Sequence, residues 1–291
     1  MFLQEMDFES SRLDKYIRRI YGKLIPQSMI EKALRKKDIL VNGAKAKASD
    51  KVTGNDEIFV HPAISRMFAN VYCNEKKKPA IDYSQYLSQF KKMIIYEDKD
   101  LIIINKPSGL AVQLGSKTNL SVDVMAKAYN PDARLVHRID KETSGITILA
   151  KNIETSRYML HLFQTKQIKK KYHAIVSGKL DMVEGRIDKP LRKVKETVVV
   201  DFENGKEAVT EFKVLKNLNK NRTLIEAKPL TGRTHQIRVH LASMGCPIIG
   251  DRKYGSQKSD HLCLHSYEIS IPLRNGKLLI KKAPIPDYFK Q

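Results

Sequence analysis

Residues 136–145 read Val-His-Arg-Ile-Asp-Lys-Glu-Thr-Ser-Gly, the densest polar cluster in the chain. The spacing predicts a strand over 134–137 leading in and another over 146–151 leading out. The cluster is therefore a connection held between two strands, a place that fixes a side chain while exposing it. Asp140 is its nucleophile or general-base candidate. A turn Asp also bonds its own backbone N–H groups, and spacing alone leaves both readings open.

Working outward, the pattern predicts strands over 93–97 and 101–105 about the Asp98-Lys99-Asp100 turn, and a helix over 120–129. Downstream it predicts a helix over 153–165 and strands over 171–177, 197–201, 208–215 and 222–227. A further helix covers 234–244. Many strands joined by short turns indicate an α+β domain with a mixed, largely antiparallel sheet. Residues 61–92 show no clear periodicity and read as a linker or an excursion, giving modules over 1–60 and 93–291.

Three other clusters carry polar chemistry. Thr231-Gly232-Arg233-Thr234-His235-Gln236-Ile237-Arg238 opens a helix on which His235 and Arg238 share a face. Its basic residues suit either a solvated helix or phosphate contacts. Asn105-Lys106-Pro107-Ser108-Gly109 is a fixed turn directly after a strand. Lys169-Lys170-Lys171-Tyr172-His173 is a basic run entering a strand, where Tyr172 alternates with Ala174 and Val176 and reads as a core aromatic.

The composition supplies 53 Lys+Arg against 32 Asp+Glu in 291 residues, a formal charge of +21. The excess is concentrated: residues 11–47 hold eleven basic and three acidic groups, and residues 161–195 hold ten and three. Concentrated positive charge points to a polyanion, nucleic acid above all. Cys73, Cys246 and Cys263 are far apart, which excludes a disulfide scaffold and CxxC zinc patterns. No apolar run approaches the ~20 residues of a membrane span, and the acidic start lacks a signal-peptide layout, so a cytoplasmic protein is expected. Gly115-Ser116-Lys117-Thr118 breaks the P-loop spacing and no GxGxxG occurs, so no nucleotide cofactor is expected. HExxH and other metal-ligand spacings are missing, so no metal is expected either.

In the N-terminal module, Ser10 or Ser11 is placed to cap a helix whose Leu13, Tyr16, Ile17 and Ile20 form an inward stripe. Arg12, Lys15, Arg18 and Arg19 lie off that stripe. Pro26 and Ser28 open a second helix with Ile30, Ala33 and Leu34 inward and Lys36 outward. Asn42-Gly43 marks a hairpin turn after Ile39-Leu40-Val41. This module, over about residues 11–60, resembles the S4 RNA-binding domain. A basic helical face suits recognition of folded RNA by backbone and shape.

The larger module resembles the RluA family of pseudouridine synthases through "VHRIDKETSG", "INKPSGL", "KKYHAIV" and "GRTHQIRVHLASMGCPIIGDRKYG", in the family's order. Ile139 stands where the family has Leu. Residues 131–133 and 112–116 look most like the subgroup acting on 23S ribosomal RNA. The resemblance implies isomerisation of uridine to pseudouridine without cofactor or metal. It implies Asp140 as the reacting carboxylate, Arg238 as its partner and Tyr172 packed on the base. The target base has to leave the stack to be reached. Arg138 is then expected to fill the vacated space or contact phosphate, with His137, Arg233 and His235 as further RNA contacts and Lys106 supporting the Asp140 loop. Arg12, Lys15, Arg18, Arg19 and Lys36 are the expected RNA contacts of the S4-like module. The expected partner is 23S rRNA and the expected state a monomer. The same chemistry on tRNA and a noncatalytic S4-type binder are the competing readings.

Overall fold

The computed structural model describes residues 2–3, 10–22, 25–75, 84–115, 120–219, 221–255 and 259–289. The basic run at 76–78 and residues 116–118 of the P-loop-like string lie outside them. The chain divides into two compact units, Met1–Asp82 and Tyr83–Gln291. No helix among the described residues is long and apolar enough to cross a membrane.

The first unit contains β1 (Phe2–Leu3), β2 (Ser11–Arg12), α1 (Leu13–Tyr21), α2 (Gln27–Arg35), β3 (Ile39–Val41), β4 (Ala44–Lys45), β5 (Lys51–Val52), β6 (Ile58–Val60) and α3 (Pro62–Glu75). Its four-stranded sheet runs β1-β6-β3-β4. Asn42 and Gly43 both take positive φ, 49° and 73°, as a two-residue hairpin requires. Leu13, Tyr16, Ile17, Ile30, Ala33 and Leu34 are buried in one core.

One expectation changes here. No serine side chain caps α1: Ser11 pairs with Val52 in the β2–β5 ladder, and the Leu13 and Asp14 N–H groups donate instead to Asp50 O and Ala48 O at 2.8 and 3.0 Å. Within 61–92, expected as a linker or an excursion, the described residues 62–75 and 84–92 lie in helices. α3 seats Phe68 edge-on against Tyr21, 5.4 Å between centroids, within the first unit. α4 (Ser84–Met93) buries Phe90 in the second. Among the described residues each helix buries a single large apolar side chain completely, too narrow a stripe to show as periodicity.

The second unit continues with β7 (Ile94–Glu97), β8 (Leu101–Lys106), α5 (Val122–Tyr129), β9 (Arg134–Leu135), β10 (Ser144–Ala150), α6 (Ile153–Gln164), β11 (Lys169–Ser177), β12 (Glu184–Asp188), β13 (Leu191–Val194), β14 (Thr197–Val200), β15 (Val209–Leu218), β16 (Arg222–Pro229), α7 (Gln236–Ala242), β17 (Leu264–Pro272) and β18 (Leu278–Lys282). A ten-stranded sheet runs β12-β15-β16-β11-β17-β10-β8-β7, with β18 on β17 and β9 on β10. Every pairing is antiparallel except β10–β17. Alternation along β8 sends Ile102 and Ile104 into a core with Phe90 and α5, and Ile103 into one with Ile146, Ile148 and α6. A third core joins β11, β16 and α7.

β17 occupies the centre of the sheet yet lacks a strand signature. Its sequence, LHSYEISIP, places His265, Ser266 and Glu268 inside: His265 Nδ1 bonds Ser144 Oγ at 2.9 Å, its Nε2 has no hydrogen-bond partner among the described residues, and Glu268 takes Lys171 at 2.9 Å. The alternation is of buried polar and buried apolar groups, which a hydrophobicity pattern does not register. Where β17 meets β10, Gly145 has φ +105° and an added Cβ would overlap the Ser266 backbone. The glycine of the polar cluster is thus a close-approach position.

Candidate active site

Asp140 sits in the turn between β9 and β10, closed by a bond from Thr143 N to Asp140 O at 3.1 Å. A second turn fastens it. Lys106, fully buried at the end of β8, donates to Pro107 O, Leu110 O and Lys141 O at 2.9, 2.8 and 2.9 Å. Ser108 Oγ donates to Glu142 O and Gly109 N to Lys141 O. All three ammonium protons are used. Burial pulls the Lys106 pKa down to about 7, opposed by the charges of Glu142 and Asp140.

α7 delivers the counter-charge. Arg238 Nη1 lies 3.3 Å from Asp140 Oδ2, while Nε and Nη2 grip both oxygens of Asp251 at 2.7 Å. Asp251 Oδ1 also accepts the Lys253 and Tyr254 N–H groups at 2.9 and 3.1 Å. Burial opposes the Asp251 charge, but the guanidinium and these N–H groups outweigh it and lower its pKa. Burial also opposes the Arg238 charge, and the two carboxylates more than compensate, raising its pKa. His235 Nε2 stands 3.8 Å from Asp140 Oδ2. Its ring is held by Tyr254 Oη at 2.7 Å from Nδ1, and burial lowers its pKa. Its φ of 53° is a strained backbone for a residue with a side chain.

The start of α7 is pinned by Gln236. Its carbonyl oxygen accepts from Thr231 Oγ1 and Arg233 N at 2.7 and 3.0 Å, and its amide donates to Val209 O and Thr210 Oγ1 at 2.9 and 3.0 Å. Tyr172 lies on β11, where a register shift against β17 leaves Tyr267 as the extra residue between Ser266 and Glu268. Burial pushes the Tyr172 phenol up to about 12, helped by the Asp140 charge and opposed by a bond to Ser266.

Asp140, Tyr172, Arg238, Arg138, His137, Arg233 and His235 all line one cleft of about 960 Å³, within the usual size range of ligand sites. Eight Lys or Arg residues line it against two carboxylates, Asp140 and Glu211. Lys106 lies behind the turn. Arg138 and Arg233 are exposed, and Arg233 Nε donates to Glu207 O at 3.0 Å. His137 lines the cleft as a neutral ring. Its Nε2 accepts the Ile148 N–H at 2.9 Å, it stacks on Phe163, and burial lowers its pKa to about 3, so it offers a phosphate no charge. Arg12 and Arg18 are likewise engaged within the first unit. Arg12 forks onto Asp14 at 3.1 and 2.9 Å, and Arg18 donates to Ile25 O and Gln27 Oε1 at 2.9 and 2.7 Å. Lys15, Arg19 and Lys36 are exposed there.

The RNA pseudouridylate synthase family model matches residues 100–243, and the S4 domain model matches residues 11–58. A ribosomal large subunit pseudouridine synthase C of Rickettsia bellii is 41% identical over 97% of this chain and 97% of its own. The chain belongs to the RNA pseudouridylate synthase family. A Vibrio cholerae relative of the same description is 36% identical over 98% of this chain and 93% of its own. Among solved structures, human RNA pseudouridylate synthase domain containing 4 superposes with a TM-score of 0.61 at 29% identity, covering 72% of this chain and 95% of that one. This pseudouridine synthase is thus an isomerase of RNA uridine with an N-terminal S4 domain. The sequence-level reading missed Asp251, Gln236 and Tyr254. Asp251 lay within a matched motif, and an Asp thirteen residues after an Arg that opens a helix was its one signal.

Proposed function

We propose that this isomerase acts on uridines of 23S ribosomal RNA, as a cytoplasmic monomer, with Asp140 as the reacting carboxylate, Arg238 holding it and Tyr172 packed on the extruded base. The observation that carries the reading is the convergence of a guanidinium-held carboxylate, an aromatic side chain and surplus positive charge in one nucleotide-sized cleft. The relatives described as large-subunit enzymes over nearly the whole chain support the substrate class.

The reaction breaks the C1′–N1 bond, turns the base and joins C1′ to C5. A proton leaves C5 and N1 gains one, so mass is unchanged and no redox partner enters. Arg238 orients Asp140 without neutralising it fully, because Asp251 already engages the same guanidinium. A phenol with a pKa near 12 stays neutral at working pH, which suits a surface that stacks on uracil.

The test is mapping of pseudouridine by carbodiimide labelling in a strain lacking the gene, complemented with the parent or with Asp140→Asn. Loss of defined 23S sites, restored by the parent and not by the variant, is the expected result. Sites lost only from tRNA would replace the substrate class, and restoration by Asp140→Asn would remove the carboxylate from its role.

A further inference from the structure

Lys170 lies on β11 two residues before Tyr172, hence on the same face of the strand, and it lines the cleft. Its neighbours in the lysine run also line the cleft but differ in exposure and pairing. Lys169 is exposed. Lys171, on the opposite face, lies 2.9 Å from Glu268 and 4.0 Å from Glu226. The Lys170 ammonium is partly buried and has no hydrogen bond or ion pair among the described residues. Burial lowers its pKa, and no carboxylate opposes the shift. The ring it influences, His137, is neutral. A partly buried ammonium without a protein partner is open to an anionic partner brought by a ligand.

The substrate can supply the missing charge. Breaking C1′–N1 leaves the bonding pair on uracil until C1′ rejoins through C5, so the base is transiently anionic. The nucleotide's own phosphate is a second anionic group. Arg238 is committed to two carboxylates, and Arg138 and Arg233 are exposed. We propose that Lys170 is a catalytic residue that contacts the extruded nucleotide and balances its negative charge inside the cleft. The ammonium donates a hydrogen bond and keeps its proton. This deepens the reading of Asp140 as the reacting carboxylate and rests on it.

Lys170→Met in the full chain tests the assignment through melting temperature, RNA affinity across salt concentrations and single-turnover rate, with Asp140→Asn run alongside. The expected outcome is a melting temperature at or above that of the parent, together with a large functional loss that Lys170→Arg partly restores. A rate reduced roughly 10²-fold at unchanged affinity assigns the contact to the departing base. Weaker binding with a salt slope reduced by about one assigns it to phosphate. Rate and affinity both within twofold of the parent overturn the proposal, as does a fall in melting temperature that accounts for the lost activity. An active Asp140→Asn beside an impaired Lys170→Met would fail the Asp140 reading and leave Lys170 standing.

Discussion

One guanidinium serves two carboxylates at this site, and the geometry of the fork makes that possible. Nε and Nη2 are spent on Asp251, leaving Nη1 for Asp140. Lysine carries the same charge from a single nitrogen and cannot hold both acids at these distances. Arg238→Lys should therefore retain most of the stability but lose roughly 10²-fold in single-turnover rate, since misplacement of about 1 Å suffices for that. A rate within threefold of the parent would show that charge alone matters here. Asp140 and Arg238 were legible because their types and order matched a known arrangement. Asp251 was not, because an Asp before a turn reads as a backbone cap; it does cap, while also gripping the guanidinium. The neutral state of His137 was not legible either, because it is set by the Ile148 N–H that its Nε2 accepts.

At the level of elements, α7 has only seven residues and no capping side chain at its first position, so Gln236 fixes where it begins. Gln236→Leu removes bonds to Val209 O, Thr210 Oγ1 and Thr231 Oγ1, each of which keeps one other partner, so each loss is worth about 0.5–1.5 kcal/mol. Destabilisation of about 2–4 kcal/mol is expected in urea unfolding, with lower activity as His235 and Arg238 shift. A loss below about 1 kcal/mol would mean that α7 is positioned by its apolar contacts. Most of the strands and helices could be read from alternation and period, including the strand–turn–strand that carries Asp140. The short strands β12 and β13 and the strands β17 and β18 could not. β17 pairs with its neighbours through buried polar side chains, and its β10 contact depends on a glycine rather than on any pattern.

For the molecule as a whole, pH sets a limit on stability from the acid side. Burial holds His137 at about 3 and His265 at about 4, below the ordinary value of 6.5. The unfolded chain therefore binds more protons below about pH 6.5, and stability present above that pH is lost on acidification. Between about pH 6 and pH 5 the unfolding free energy should fall by up to about 1.4 kcal/mol per pH unit for each of the two rings, the His265 share fading toward pH 4. Denaturant titrations at several pH values read this slope directly, and a flat profile over that window would contradict it. The order of the strands has a consequence for synthesis. β17 separates β10 from β11, so the strand that follows the Asp140 turn and the strand that carries Tyr172 share no neighbour until it arrives. β11 ends at Ser177 and β17 at Pro272, 272 − 177 = 95 residues later, or roughly 5–20 s of translation at ordinary rates. During that interval the nascent chain exposes two unpaired strand edges, a hazard for aggregation, while its S4 unit has already left the ribosome. An emerging copy can thus hold RNA before it is able to modify it.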